Sequence, residues 1–411
     1  MKLTYLTTLS LAALTVSAGA AFAQCDIEGT GSVRILGNDF AALRLVVGAA
    51  QDCAKDGVTI TTNMTTEHKN LQVPALSITP AEYTVAVVAS NSVVPLLNDG
   101  LVRPLDDLVA KYGQNLLPSQ LIKVGGDTVA IAFMGNSLHL YYRADVLEEA
   151  GLEPPTSYEE MLEAARVIRE KGLMEYPLGA AFLPGFYLAN EFVDMYLGYG
   201  GDFFAAGSAA PAVNNETGVK ALEMMKAMTE YMEPEYMTVG SNELRAMYEA
   251  GTIAMMNQWG SMAGGILANP SVEVVENTVL AAAPTVGGNS FPAVALWWDG
   301  FTISRNVSDE DAAVSFQAMM HGISPEMAAA NPNGASWLIK DYVPGPNAVG
   351  VMATVAGQAR PYPMLPYMQL MQTALGAELA QFMQGEETAQ QALADVEAAY
   401  TAAAREAGFL Q

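Results

Sequence analysis

The segment YTVAVVA, residues 83–89, decides the fold class of this chain. Five consecutive apolar residues follow Tyr83 and Thr84, a pattern that is typical of a strand covered on both faces in a parallel sheet. Upstream, strands are predicted at 32–36 and 58–61, and residues 40–54 between them carry apolar side chains at helical spacing. This order of strand, helix and strand predicts an α/β lobe.

The remainder of the chain continues to mix strands and helices without a tandem repeat or a low-complexity linker. Further strands are predicted at 128–133, 138–143, 252–256, 279–283 and 301–304. Further helices are predicted from Thr156 or Ser157 to 172, from 214, at 244–250, at 308–321 and over most of the last 50 residues. We therefore expect two interleaved lobes and not independent domains in series.

Size and charge limit the classes of function. The chain has 411 residues, 51% of them hydrophobic, and a length of this kind predicts two domains or more. Its formal net charge is −25, so it lacks the basic face with which proteins bind nucleic acid or an anionic membrane surface. We expect no nucleic-acid partner.

The N-terminus has the pattern of a secretory signal peptide. Lys2 precedes an apolar stretch at 9–21, and Ala21-Phe22-Ala23 has the small residues that signal peptidase recognises. We expect residues 1–23 to be removed by cleavage after Ala23 and the protein to reach the periplasm. A retained membrane anchor is the alternative, although the stretch is short for a membrane span.

The chain has two cysteines, Cys25 and Cys53, and both follow the predicted cleavage site. An oxidising compartment favours a disulfide between them, with two free thiols as the alternative. Closing a loop of about 28 residues would stabilise the fold by roughly 3 kcal/mol in the chain-entropy model.

Four segments, taken in order, resemble a known protein family. They are NSLHLYYRADVLEEAGLEPPTSYEEMLEAA (136–165), YEAGTIAMMNQWG (248–260), APTVGGN with DGFTISRNVSDEDAAVSFQAMMHG (283–289 and 299–322), and RPYPMLPYMQLMQTAL with GEETAQQALADVEAAY (360–375 and 385–400). Their order resembles the extracellular solute-binding proteins of bacterial ABC importers, in the carbohydrate-binding family 1 that includes maltose-binding protein.

The resemblance implies two α/β lobes that are joined by a hinge and close around a ligand in the cleft between them. It implies lobe one at 24–134 plus 286–322 and lobe two at 135–285 plus 323–411. The implied function is to capture a small carbohydrate or polyol in the periplasm, as a monomer without a cofactor, and to deliver it to an ABC permease in the inner membrane. Two alternatives remain open: another small polar metabolite such as a polyamine, a sulfonate or an opine, and a secreted glycoside hydrolase.

A sugar site needs aromatic rings for the C–H faces and short polar side chains for the hydroxyls. In open α/β sheets such side chains lie beyond the carboxyl ends of strands. Positions of this kind, or positions where the resemblance implies ligand contact, give the following candidates: Glu67, His68, Ser90, Asn91, Asn136, Tyr187, Trp259, Trp297, Trp298, Asp299 and Tyr362. For the aromatic residues the alternative is a place in the core, and for Ser90 and Asn91 it is a helix cap.

Trp297 and Trp298 are expected to differ in role. Neighbouring residues of a strand face opposite sides, so Trp297 shares the face of Asp299, whereas Trp298 joins it only if the strand has not yet begun there. Gly300 would allow a close approach of the backbone. We expect Asp299 to accept a hydrogen bond from a ligand hydroxyl.

Enzymatic motifs are absent from the sequence. The three histidines are isolated, and there is no H-E-x-x-H, no G-x-S-x-G, no P-loop and no complete dinucleotide fingerprint. We therefore expect a binding protein and not an enzyme, with no metal ion and no cofactor.

Overall fold

The computed structural model describes residues 25–268 and 273–411. The predicted signal segment, residues 1–23, lies outside the described residues. Within the described ranges, no helix has both the length and the apolar character needed to cross a membrane.

The elements mix strands and helices along the whole chain. The strands are β1 (Gly31–Gly37), β2 (Val58–Met64), β3 (Val85–Ala89), β4 (Leu121–Val124), β5 (Asp127–Asn136), β6 (Leu138–Arg143), β7 (Leu178–Gly179), β8 (Met255–Trp259), β9 (Thr278–Ala281), β10 (Ala295–Ile303), β11 (Ser336–Trp337) and β12 (Arg360–Pro361). The α-helices are α1 (Ala41–Gln51), α2 (His68–Ser77), α3 (Val93–Asn98), α4 (Asp106–Tyr112), α5 (Ala144–Ala150), α6 (Tyr158–Glu170), α7 (Phe186–Gly198), α8 (Glu216–Met228), α9 (Ser241–Glu249), α10 (Ala263–Leu267), α11 (Glu273–Glu276), α12 (Asp309–Gly322), α13 (Pro325–Ala330), α14 (Val349–Ala356), α15 (Met368–Gln384) and α16 (Ala389–Glu406).

The larger sheet has the strand order β11-β5-β10-β3-β1-β2, with β12 beside β10 and β4 beside β5. Strands β1, β2 and β3 are parallel, as the apolar run at 83–89 predicts, and β10 is antiparallel to both β3 and β5. Helices α1 and α12 pack on this sheet through a core that contains Val33, Val46 and Phe316. The sheet is therefore the α/β lobe expected from the sequence.

The smaller sheet has the order β7-β8-β6-β9. The chain passes into it through a single residue, Ser137, because β5 ends at Asn136 and β6 begins at Leu138. A second core, which includes Tyr158, Phe192 and Leu375, joins this sheet to α6, α7, α8, α15 and α16. Two sheets, each with its own core, confirm the predicted α/β class.

The lobe boundaries stay predictions, and one segment packs differently from expectation. The resemblance implies that residues 325–339 belong to lobe two, but β11 extends the larger sheet by pairing with β5. Met327, Trp337 and Ile339 belong to the core of that sheet. Their packing therefore favours lobe one for this segment.

The predicted disulfide is confirmed. Cys25 and Cys53 are bonded, with their Cα atoms 5.0 Å apart. Cys53 lies just beyond the end of α1, so the bond ties the first described residue of the chain to that helix.

Gly300 lies in β10 at a point where the strand is irregularly paired with β5. A Cβ atom on Gly300 would lie 2.4 Å from the carbonyl oxygen of Ile131 and 2.9 Å from the Cα atom of Ala132. Both atoms belong to the backbone of β5, so neither can move aside as a flexible side chain would. The close approach expected at this glycine is therefore present.

Replacement of Gly300 by Ala should destabilise the protein by about 1–3 kcal/mol, because the added methyl group overlaps backbone atoms. The free energy of unfolding from urea titration measures this loss. Gly48→Ala is the matched control, since a Cβ there meets no atom within 4 Å and the residue lies inside α1. The control should be neutral or stabilise by up to about 1 kcal/mol. Equal stability of the Gly300→Ala variant and the wild type would contradict the close packing.

Candidate functional site

A cavity of about 500 Å³ lies between the two sheets and is lined by side chains from both. Its volume is within the range of small-molecule sites. The lining residues are Asn38, Asp39, Phe40, Ala41, Thr66, Lys69, Ala89, Asn91, Asn136, Phe186, Tyr187, Ser241, Asn242, Arg245, Trp259, Ser261, Met262, Gly265, Trp297 and Asp299.

The wall on the side of the larger sheet is built at the carboxyl ends of its parallel strands. Asn38 and Phe40 follow β1, Thr66 and Lys69 follow β2, and Asn91 follows β3. This is where an open α/β sheet places its ligand site, because the strand ends leave a crevice between the following loops.

Strand β10 brings Trp297 and Asp299 into the same cavity. It begins at Ala295, so the alternation of side chains already holds at 297–299, and the irregularity in its pairing falls only between Asp299 and Gly300. Trp297 and Asp299 therefore share one face, as expected from their parity.

Trp298 points to the opposite face of β10 and does not line the cavity, which corrects its place among the candidates. Its ring packs against the small apolar cluster that contains Val88 and Val94, and its Nε1 donates to the sulfur of Met364 at 3.3 Å. The reason is that β10 starts four residues before Asp299, earlier than the sequence pattern indicated.

Three aromatic rings contact the ring of Trp297. Tyr362 stacks on Trp297 with ring centroids 4.0 Å apart, and the rings of Trp259 and Phe186 meet it edge-on at 5.8 and 6.4 Å. Trp259, Trp297 and Phe186 line the cavity. Tyr362 is buried behind Trp297 and hydrogen-bonds to Gln372, so it supports the aromatic wall without reaching the cavity.

Asn136 connects the two sheets at the chain crossing. Its Nδ2 donates to the hydroxyl oxygen of Ser261 at 3.2 Å, and its Oδ1 accepts from the backbone N–H groups of Ser137 and Ser261. Ser261 follows β8 in the smaller sheet, so this network of hydrogen bonds spans the base of the cavity. Asn136 is 9% exposed and retains a surface on the cavity.

The carboxyl group of Asp299 lines the cavity and interacts with Lys69. Burial raises the pKa of Asp299 to about 7, and the positive charge of Lys69 opposes that rise. A carboxyl group accepts hydrogen bonds when it is ionised and also donates one when it is protonated.

Lys69 crosses the cavity from α2. Its Nζ lies 5.0 Å from the centroid of the Phe186 ring, which is close enough for a cation–π interaction. Desolvation lowers the pKa of Lys69, and the charge of Asp299 raises it. Lys69 thus interacts with both walls of the cavity.

Three other candidates lie outside the cavity. Ser90 is buried and its hydroxyl accepts from the backbone N–H of Trp298 at 3.0 Å, so it holds β3 and β10 together. Glu67 is exposed and accepts from Asn70. His68 is the first residue of α2 and turns into the protein, where burial lowers its pKa to about 4. Because α2 begins at His68, it is Lys69 that reaches the cavity.

Several lining residues were not among the candidates predicted from the sequence. Asn38 and Phe40 follow the carboxyl end of β1, and the strand-end rule that pointed to Asn91 would also have found them. Lys69 is adjacent to the candidate His68. Arg245 had no sequence signal, because α9 has the pattern of an ordinary amphipathic helix. The candidates Asn91, Asn136, Tyr187, Trp259, Trp297 and Asp299 lie together in the cavity.

A buried acidic pair on α7 holds the start of β10. The carboxylate of Asp194 accepts from the backbone N–H of Ala295 at 2.7 Å and from Nδ2 of Asn190 at 3.0 Å. Burial raises the pKa of Asp194, with a further contribution from Glu191, and burial raises the pKa of Glu191 to about 8. The strand that carries Trp297 is thus anchored to the smaller lobe by a group whose protonation depends on pH.

Glu191 should make the wild type lose stability as the pH rises. The native state holds its proton up to about pH 8, whereas the unfolded chain releases it near the ordinary value of 4.5. The stability that this proton provides is complete below pH 4.5 and is lost as the pH rises through about 8. Glu191→Gln removes the contribution of Glu191 to this pH dependence, so the variant should gain stability relative to the wild type by about 1 kcal/mol or more between pH 5 and pH 8.

Urea unfolding at the two pH values measures the effect. Glu163→Gln is the control, because Glu163 is exposed and its ion pair with Arg166 lowers its pKa, so its charge is constant in this range. If the free energy of unfolding changed with pH in the same way in the wild type and in Glu191→Gln, Glu191 would be ionised in the native state.

Within residues 25–268 and 273–411, one group of three side chains lies close enough to share a metal ion: Cys25, Cys53 and His321. The disulfide occupies both of its sulfur atoms, and the group is remote from the cavity.

Comparison with known proteins agrees with this architecture. The model of the family described as bacterial extracellular solute-binding protein matches residues 72–321, more than half of the chain. The chain belongs to this family. A probable ABC transporter-binding protein of Deinococcus radiodurans is 27% identical over 182 residues, which are 42% of this chain and 43% of that relative. The match to this curated relative thus spans less than half of its length.

Solved structures share the fold over nearly the whole chain. Maltose-bound MalE3 of T. maritima has a TM-score of 0.77 at 15% identity and covers 90% of this chain and 99% of its own. A solute-binding protein of Agrobacterium radiobacter K84 in complex with ribitol has a TM-score of 0.75 at 20% identity, and the match covers 90% of this chain and 98% of that protein. A solute-binding protein of Agrobacterium vitis S4 with bound D-mannitol has a TM-score of 0.73 at 20% identity, and the match covers 92% of this chain and 99% of that protein. The two-lobed fold predicted from the sequence is confirmed.

Proposed function

We propose that this solute-binding protein captures a small carbohydrate or polyol in the periplasm and delivers it, as a monomer, to an ABC permease in the inner membrane. Export would follow cleavage after Ala23. The observation that carries the proposal is the aromatic wall of Trp259, Trp297 and Phe186 in a cavity whose other groups are mainly amides, hydroxyls and charged side chains.

The composition of the wall suits a polyhydroxylated molecule. The C–H faces of a sugar or polyol are apolar and pack on aromatic rings, while each hydroxyl needs a polar partner when it leaves water. Asn91 and Asn136 offer amide groups, and Asp299 offers a carboxyl group on the same side as Trp297. An amide carbonyl and a carboxylate accept from hydroxyls, and an amide nitrogen donates to them.

Structural relatives support the ligand class. The proteins from the two Agrobacterium species hold ribitol and D-mannitol, and the T. maritima protein holds maltose. The name of the Deinococcus relative supports a role with an ABC transporter.

The position of the cavity supports a mechanism of capture by lobe closure. Its lining comes from the strand ends of the larger sheet and from α7, α9, β8 and α10 on the side of the smaller one. A ligand that touches both walls stabilises the arrangement in which they are close together, and its binding shifts the population of lobe positions accordingly. The crossing at Ser137 is a single residue between β5 and β6, and it is a point at which such a rotation would occur.

Isothermal calorimetry against C5 and C6 alditols, aldoses, disaccharides and their acids tests the ligand class. We expect saturable binding of one molecule per chain for at least one member. Binding of none of them, by a protein whose circular dichroism shows a folded chain, would refute the carbohydrate or polyol assignment.

Two adjacent tryptophans provide a matched pair of variants. Trp297→Leu should weaken binding of the identified ligand by about tenfold or more, because stacking on an aromatic ring contributes about 0.5–1.5 kcal/mol beyond the area buried. Trp298→Leu should leave affinity unchanged, since Trp298 lies on the opposite face of β10. Equal losses in both variants would mean that the effect comes from general destabilisation and not from contact with the ligand.

We also propose that the protein binds without catalysis. Incubation with chromogenic glycosides at saturating concentration should release no chromophore above the buffer control. Sustained turnover that a Trp297→Leu variant loses would instead identify a hydrolase.

A further inference from the structure

Arg245 has an unusual environment for a helical arginine in an ion pair. Its Nε donates to Oε1 of Glu249, one turn further along α9, at 2.7 Å. Across the described ranges, 25–268 and 273–411, no residue accepts a hydrogen bond from its two terminal nitrogens, Nη1 and Nη2. The carboxylate of Glu249 thus uses one donor of the guanidinium and leaves the other edge available.

Gly265 makes room for that guanidinium at the edge of the cavity. A Cβ on Gly265 would lie 2.8 Å from Nη1 and 3.0 Å from Nη2 of Arg245, closer than an ordinary contact. Both residues line the cavity, and about one third of the Arg245 side chain is exposed, at 33%. The guanidinium therefore lies flat against a backbone that carries no side chain, next to open space.

The anionic groups around the cavity already have cationic partners. Asp39 accepts from Nε of Arg44 at 2.6 Å, Glu249 accepts from Arg245, and Asp299 interacts electrostatically with Lys69. The ammonium of Lys69 lies between Asp299 and the ring of Phe186, whereas the terminal nitrogens of Arg245 form a planar donor edge without an acceptor among the described residues. The chain as a whole has 44 acidic residues and 19 lysines and arginines, so a free arginine edge inside its cavity is not a consequence of composition.

A planar guanidinium edge fits one kind of group best. Its two parallel N–H bonds match the two oxygens of a carboxylate, and such charge-assisted pairs are stronger than bonds to a neutral hydroxyl. Ser241 and Asn242, in the first turn of the same helix, also line the cavity and offer further polar contacts beside Arg245.

We propose that the ligand is a polyhydroxylated carboxylate, such as an aldonate or a uronate, and that Arg245 binds its carboxylate through Nη1 and Nη2. The inference rests on the proposed function, since it names the class of carbohydrate that the cavity accepts. The hydroxylated carbons would lie against Trp297 and Trp259, with Asp299 and the asparagines as hydroxyl partners.

Calorimetry with matched pairs of probes tests the inference. Each acid is compared with its neutral counterpart: D-gluconate with D-glucitol, D-mannonate with D-mannitol, L-arabinonate with L-arabinitol, D-glucuronate with D-glucose and D-galacturonate with D-galactose. At least one acid should bind tenfold or more tightly than its partner. Arg245→Gln should reduce that ratio by about 10- to 100-fold, and Arg245→Lys should restore only part of it, because an ammonium lacks the two-pronged edge.

Arg166→Gln is the matched control, because Arg166 also pairs with a glutamate four residues along its helix, Glu170, but lies on α6 outside the cavity. It should leave both affinities unchanged. Near-ultraviolet circular dichroism confirms that each variant is folded, and the ratio of acid to neutral affinity separates a lost contact from a general loss of binding.

The outcomes separate this inference from the proposed function. The inference would be overturned if the neutral compounds bound as tightly as their acids, or if Arg245→Gln left the ratio of acid to neutral affinity unchanged. Either result would leave the carbohydrate assignment standing. Failure of both acids and neutral members to bind the folded wild type would overturn both.

Discussion

Strand β10 is hydrogen-bonded along both edges, to β3 on one side and to β5 on the other, and this double pairing positions the centre of the site. A strand held on both sides cannot rotate, so the alternation of its side chains is fixed over Trp297, Trp298 and Asp299. Trp297 and Asp299 are therefore directed to the cavity, and Trp298 to the opposite face. Gly300 is part of the same constraint, because only a residue without a side chain lets β5 approach so closely at that point.

The same strand links the two halves of the molecule. Its first residue is held by the Asp194 carboxylate in the core of the smaller lobe, while its last residues lie in the core of the larger one. Asn136, which pairs with Trp297, makes the second connection through Ser261. The aromatic rings that meet at Trp297 come from both sides of the cavity, so a change in the angle between the lobes would rearrange them. This arrangement suits a protein that reports the presence of a ligand through its own closure.

Charge is distributed unevenly between the surface and the cavity. The surface carries most of the excess of 44 acidic over 19 basic residues, which favours solubility. In and around the cavity, Asp299 interacts with Lys69, Asp39 accepts from Arg44, and Glu249 accepts from Arg245, and burial makes each uncompensated charge costly. The pairing of each anion with a cation satisfies this requirement, and it leaves the outer edge of Arg245 as the group with capacity for a further partner.

The sequence by itself determined the fold class through its apolar runs, and the disulfide through its two exported cysteines. Of the eleven candidate site residues, the six that line the cavity were found from local patterns such as side-chain alternation and polar residues at strand ends. Tertiary structure alone decided the rest. Strand β10 begins at Ala295, where it pairs with β12, and it pairs with β5 from Trp297 onwards. No local signal in the segment 295–300 encodes these pairings, which direct Trp298 away from the cavity. His68 is buried and Lys69 lines the cavity, because the first turn of α2 sets the direction of these two adjacent side chains. Arg245 became a site residue only through its contact with Gly265, 20 positions along the chain, and through the meeting of two lobes whose relative position is set by packing between distant segments.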